Sequence, residues 1–217
     1  MARNQQPILN YSADDVWGAA VAAQRINGAY VKLSITSECD PTINQKSNRQ
    51  IVHGFLADPF TITDEDREEG KKVRAFFQAY TFKILQGKAL SDFNNTAMLI
   101  SNRDVITSDY DVAVITSLPA SYERGVKQQT VDQRINFARG GYVGTIGDKV
   151  NLTVEVIKRI WSEKWMTSFV TGITPEDQVV FFAFKHELEI GKTISIQGTV
   201  KGQRDPNTTQ LNRVKVV

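Results

Sequence analysis

The chain is short of the residues that carry most enzyme chemistry. Cysteine occurs once, at Cys39, and histidine twice, at His53 and His186. A lone cysteine forms no internal disulfide, so the fold does not depend on an oxidising compartment. Cys39 is expected as a small buried residue, because a nucleophilic thiol needs a histidine beside it and the spacing brings none. No CxxC pair, HExxH motif or histidine cluster offers zinc ligands, and no GxSxG elbow presents a serine. The acidic groups Asp64–Asp66 and Asp109–Asp111 fall in helix caps or polar turns, whereas a two-metal nuclease needs carboxylates converging from separate elements. No stretch approaches the ~18 apolar residues that cross a bilayer. The opening segment MARNQQPILN lacks the apolar core of a secretory signal. A soluble, cytoplasmic protein without enzymatic activity, metal or cofactor is the expectation.

What is present suffices for a packed core. The 217 residues are 41% hydrophobic and 23% charged, as in ordinary globular proteins. The formal net charge of +2 neither demands nor excludes a nucleic-acid partner, since distribution matters more than sum.

Residues 1–140 read as mixed and partly helical. Ser12 and Asp15 form an N-cap pair ahead of Val16, Ala19, Ala20, Ala23 and Ile26 at helical spacing, with Gly28 as the stop. Val31, Leu33 and Ile35 alternate with polar neighbours, as in a half-buried strand. The polar run from Glu38 to Arg49 predicts a loop. Thr63 caps the clearest helix, whose first turns are acidic and whose stripe is Val73, Phe76, Phe77, Tyr80 and Ile84, up to Gly87. Shorter helices are expected over Ser91–Ser101 and Tyr110–Ser117, the second broken by Pro119, and a polar helix over Ser121–Ala138.

The texture changes at the glycines 140, 141, 144 and 147. Gly147 is followed by Asp148 and Lys149 rather than the Lys and Ser/Thr of a P-loop, and a strand follows where a dinucleotide fingerprint needs a helix. Tight turns entering a sheet explain these glycines better. From Lys149 to Trp161, period-two alternation marks a first strand. Trp165–Gly172, Gln178–Phe184, the segment around Thr193–Val200 and Gln210–Val217 supply four more, separated by turns, the last of them the polar stretch Gly202–Thr208. Residues 141–217 are therefore expected to form a five-stranded barrel of the OB type, with an SH3-like barrel as competitor. The fold class is α+β.

The segments GYVGTIGDKVNLTVEV, VVFFAF and GKTISIQGTVKGQRDPNTTQLNRVKVV resemble the OB-type modules of tailed-phage replication proteins. Gly198–Lys201 and Thr209–Lys215 carry the closing part of that pattern. The resemblance implies single-stranded DNA handling in replication or recombination, in the host cytoplasm. OB barrels bind single strands on the face of their second and third strands and on the flanking loops. Cations there neutralise phosphates and aromatic rings stack on bases, without base-specific readout. The candidates are Lys158, Arg159, Trp161, Lys164 and Trp165 around the first hairpin. Phe182 is the outward aromatic of the third strand, and Lys201, Arg204, Arg213 and Lys215 frame the last hairpin, all converging near one end of the barrel. Residues 1–140 would pack on the barrel, assemble copies, or recruit replication proteins. The rival readings are an adaptor whose barrel contacts protein and a metal-dependent nuclease.

Overall fold

The computed structural model describes residues 9–36, 44–204 and 207–217. Cys39 and Asp205, an acid next to the candidate cations, lie outside the described residues. The chain is α+β and forms two compact units, Met1–Gly125 and Val126–Val217. The division falls inside a helix, upstream of the glycine cluster.

The first unit is mainly helical. A short strand β1 (Tyr11–Ser12) leads into α1 (Ala13–Asn27), which ends on Gly28 in the left-handed conformation. Ser12 makes no side-chain cap bond, and Asp15 pairs instead with Arg67. The expected strand over Val31–Ile35 shrinks to β2 (Ile35–Thr36), paired with β3 (Asn44–Gln45); Leu33 and Ile35 are exposed. The expected loop ends in an unforeseen helix, α2 (Asn48–Ala57), whose N-terminus is capped by the Ser47 hydroxyl accepting from the Gln50 amide. The Thr63 cap is as expected: its hydroxyl accepts from the Asp66 amide at the head of α3 (Asp64–Gln78). Next come α4 (Tyr80–Leu85) and α5 (Asp92–Ser101), the latter capped by Ser91. β4 (Val105–Ile106) pairs with β1, and α6 (Asp109–Phe137) follows.

Pro119 does not break α6. It is buried inside one continuous helix, so packing offsets the ~3 kcal/mol that an interior proline costs. The core of this unit gathers Trp17, Val52, Val73, Phe77, Ile100, Ile115 and Leu118. Helices α1 and α3 pack so closely that a Cβ on Gly70 would sit 2.8 Å from the Gly18 nitrogen.

The second unit is a closed five-stranded barrel of the OB type, entered by the last turns of α6. Its strands are β5 (Lys149–Ser162), β6 (Thr167–Ile173), β7 (Val179–Phe184), β8 (Thr193–Arg204) and β9 (Thr208–Val216). The order around the barrel is β5-β6-β7-β9-β8, with β7 and β9 parallel and β8 closing on β5. This Greek-key closure is the one expected of the alternating strands. Val154, Val156, Val170, Val180, Phe182, Ile196, Val200 and Leu211 fill the interior.

The entry loop uses its glycines for turns. Gly141, Gly144 and Gly147 have φ of 69°, 55° and 100°. The loop is closed on itself: the Asp148 carboxylate accepts from the Thr145 amide and hydroxyl, and the Gly147 amide donates to Val200 O. Those bonds hold the Asp148 carboxyl below its ordinary range.

Candidate nucleic-acid interface

A β-bulge decides which side chains the barrel shows. Alternation along β5 places Val154 and Val156 inside. Between Val156 and Lys158 the register to β6 shifts by one residue, so Ile157 and Lys158 both face outward. Beyond the bulge the phase is inverted. Lys158 pairs with Thr171, which pairs with Phe181; Ile160 pairs with Phe169, which pairs with Ala183. Paired residues share a face, so Lys158, Ile160, Phe169, Thr171 and Phe181 form the outer surface of β5, β6 and β7.

Phe169 and Phe181 are diagonal neighbours on this surface. Their rings stack with centroids 5.8 Å apart and planes within 9°. Both are half-buried, and Ile160 beside Phe169 is exposed. The sequence reading assigned the outward role to Phe182, and this is corrected. Phe182 is 0% exposed and lies in the barrel core, because it shares the inward phase of Val180. Six consecutive apolar residues, Val179–Phe184, leave that phase undetermined in sequence. The better signal was on β6, where Phe169 shares its phase with polar Thr171.

One end of the same surface is covered by the tail of α6. Ala138, with Ile135, packs on Ile157, Ile173 and Val179. Arg134 donates two hydrogen bonds to the Glu155 carboxylate, at 2.8 and 2.7 Å, and holds it below its ordinary range. Lys158 Nζ lies 4.0 Å from Asp132. The tail therefore leaves the Phe169–Phe181–Ile160 half open.

At the other end stands the β5–β6 hairpin. Its turn holds Met166 in the left-handed region, at φ 46°, and displays Lys164, Trp165 and Met166. Lys164 Nζ sits 5.4 Å from the centre of the Trp165 ring, and Trp165 is 65% exposed. Trp161, half-exposed, lines a cavity of about 270 Å³ with Arg159, Ser168, Lys185 and Glu187. Arg159 donates to Leu188 O at 3.1 Å and pairs with Glu187 at 2.6 Å, so its charge is partly spent inside the protein.

The remaining candidates do not join this cluster. Arg204 pairs with Thr208, which lies beside Val179, at the end of β7 away from the tryptophans. Lys215 pairs with Gln197, roughly 20 Å from Arg204 along the hairpin at the rise of an extended strand. Lys201 sits in a bulge of β8, and Arg213 in one of β9 with φ 52°. The expected convergence at one end fails because β8 and β9 form one long hairpin that carries these cations along its length. Sequence reasoning thus found the hairpin cluster and missed Ile160, Phe169, Phe181 and Lys185.

Among the described residues, no group of three or more His, Cys, Asp or Glu side chains could hold a metal ion, and no helix is long and apolar enough to cross a membrane. The second unit defines a class, the OB-type barrels with an aromatic outer face on their second and third strands. In comparisons with family models, curated proteins and solved structures, none matches the chain.

Proposed function

We propose that this is a non-enzymatic single-stranded DNA-binding protein of DNA replication or recombination, of phage type, whose barrel holds the strand without base-specific readout. The observation that carries the reading is the stacked Phe169–Phe181 pair on the open outer face of β6 and β7. Aromatic rings on the outside of a sheet give bases a sequence-tolerant platform, worth about 1–3 kcal/mol per stacked base. Lys158 borders the platform, and Lys164 and Trp165 stand on the adjoining turn. Cations so placed neutralise phosphates of a strand crossing the face. Lys201, Arg204, Arg213 and Lys215 add only diffuse attraction, because they are spread along the last hairpin.

One observation favours a second reading, an adaptor that contacts protein. Ile160 on the outer face and Trp165 and Met166 on the adjoining turn are apolar and more than half exposed. Such a patch also suits a protein interface.

A titration of labelled oligo-dT followed by anisotropy separates the two. Wild type is expected to bind saturably, and Phe169→Ala or Phe181→Ala to weaken binding by about 1–3 kcal/mol each. Unchanged affinity in both variants, or no binding at low salt, would move the assignment to the adaptor.

A further inference from the structure

The bulge that turns Lys158 and Ile160 outward turns Arg159 and Trp161 inward. Arg159 pairs with Val170, which pairs with Phe182, and both partners lie in the barrel core. Trp161 pairs with Ser168, which pairs with Phe184, so these three share the inward phase. Trp161 is nevertheless 50% exposed, so the barrel interior opens to solvent where it stands. The cavity of about 270 Å³ lined by Arg159, Trp161, Ser168, Lys185 and Glu187 lies at this rim. The Phe169–Phe181 platform is on the other face of the same strands and does not use it.

Its wall carries unspent bonding groups. Ser168 is 3% exposed, and its hydroxyl bonds to no residue of the chain. The oxygen is not sealed in, as the unpartnered atoms of Trp17 and Gln24 are, so it opens onto the cavity. A hydroxyl so enclosed calls for a polar partner from outside the chain. Lys185, just beyond β7, has no ion-pair partner among the described residues. The Phe184 and His186 rings meet edge to face at 5.7 Å and steady the segment that carries Lys185 and Glu187. Arg159 alone is committed, to Glu187 at 2.6 Å and Leu188 O at 3.1 Å.

Size and chemistry narrow the occupant. The volume falls just below the ~300–1,000 Å³ of sites that take drug-sized ligands, so one nucleobase with its sugar fits and a second base does not. The indole offers a stacking face to any base. A hydroxyl both donates and accepts, so Ser168 serves the edge of any base. The Lys185 ammonium suits the phosphate beside it. An aliphatic side chain in the same place would leave the Ser168 hydroxyl without a partner.

We propose that the rim cavity captures one base of the bound strand. A nucleotide leaving the Phe169–Phe181 platform turns over the rim, stacks on Trp161, bonds Ser168 and sets its phosphate on Lys185. This rests on the strand-binding reading and adds a single-nucleotide subsite to it. Glu187 weakens the subsite, because it holds Arg159 away from the phosphate.

The test uses the full chain with thymidine monophosphate and thymidine as probes, read by NMR at the Trp161 indole and the Ser168 amide, beside oligo-dT anisotropy. Saturable shifts are expected at both positions, with thymidine binding about fivefold more weakly than the monophosphate. Ser168→Ala and Lys185→Gln should each lower the monophosphate affinity about fivefold, as one hydrogen bond or charged contact is lost. Trp161→Ala should lower it about tenfold. Glu187→Gln should raise it about threefold by freeing Arg159. Ser168→Ala should keep the wild-type melting temperature, because it breaks no bond within the chain. Oligo-dT binding through Phe169 and Phe181 with no monophosphate shifts at Trp161 and Ser168 would overturn the subsite alone. Indifference of the monophosphate to both Ser168→Ala and Lys185→Gln would do the same. Failure of oligo-dT to bind would remove the strand-binding reading. The proposal would then fall even if the monophosphate bound, since the captured base would come from a free nucleotide.

Discussion

Phe181 and Phe182 are chain neighbours with opposite surroundings. Phe182 fills the barrel core, and Phe181 lies half-buried against Phe169 on the outside. Truncating them separates folding from binding. Phe182→Ala should cost about 3–5 kcal/mol of stability in denaturant unfolding, as buried aromatics do. Phe181→Ala should cost markedly less and show its effect in oligo-dT affinity. Gly70 carries a different constraint. A Cβ there would approach the Gly18 nitrogen and the Trp17 carbonyl carbon at 2.8 Å, and neither backbone atom can move aside alone. Gly70→Ala should therefore lose about 1–3 kcal/mol through overpacking. Met166 tells the reverse story, since its left-handed backbone is one that glycine adopts freely. Met166→Gly should leave stability unchanged or raise it by up to about 1 kcal/mol. The cost of keeping methionine there is consistent with an exposed role for the turn.

At the scale of elements, legibility followed the range of the interactions that set each one. Local signals were readable: the Thr63 hydroxyl cap, the Gly28 stop and the alternation of β5 are all present. Elements decided by tertiary contact were not. Pro119 stays helical because its turn is buried in the core. The Val31–Ile35 alternation yields almost no strand because Leu33 and Ile35 find nothing to pack on. Helix α2 was hidden because its Ser47 cap sits in a polar run that also reads as loop. The bulge at Ile157 left no mark in the sequence, yet it inverts the phase of every residue up to Ser162 and so composes the candidate site.

One contact between elements also makes a pH prediction. Arg25 of α1 bonds Asp66 of α3, whose side chain is 4% exposed, and that bond holds the Asp66 carboxyl below its ordinary range. A carboxylate with a depressed folded-state pKa stabilises above its unfolded value and loses that contribution as pH falls through the folded one. Asp66→Asn should destabilise the protein near neutrality, and its deficit against wild type should shrink below about pH 4. Urea unfolding at several pH values reads this directly.

At the scale of the molecule, the net charge of +2 and the scattering of cations limit the electrostatic part of the proposed strand binding. Among the described residues, Lys158, Lys164 and Lys185 stand near the open face and hairpin; Lys158 faces Asp132, and Arg159 beside them is paired with Glu187. With about three phosphates neutralised, the affinity for oligo-dT should fall with a log–log salt slope near −2, far shallower than that of a strongly basic binder. Stacking would then carry the larger share, so binding should persist at moderate salt and quench the fluorescence of Trp161 and Trp165.

The most direct measurement is ultraviolet crosslinking of the whole protein to oligo-dT, followed by identification of the crosslinked peptides. Attachment is expected within β6, β7 and the Ser162–Thr167 turn, with Phe169, Phe181 and Trp165 as the foremost sites. Crosslinks confined to residues 1–125, or none under conditions where the oligonucleotide is bound, would contradict strand binding on the barrel face.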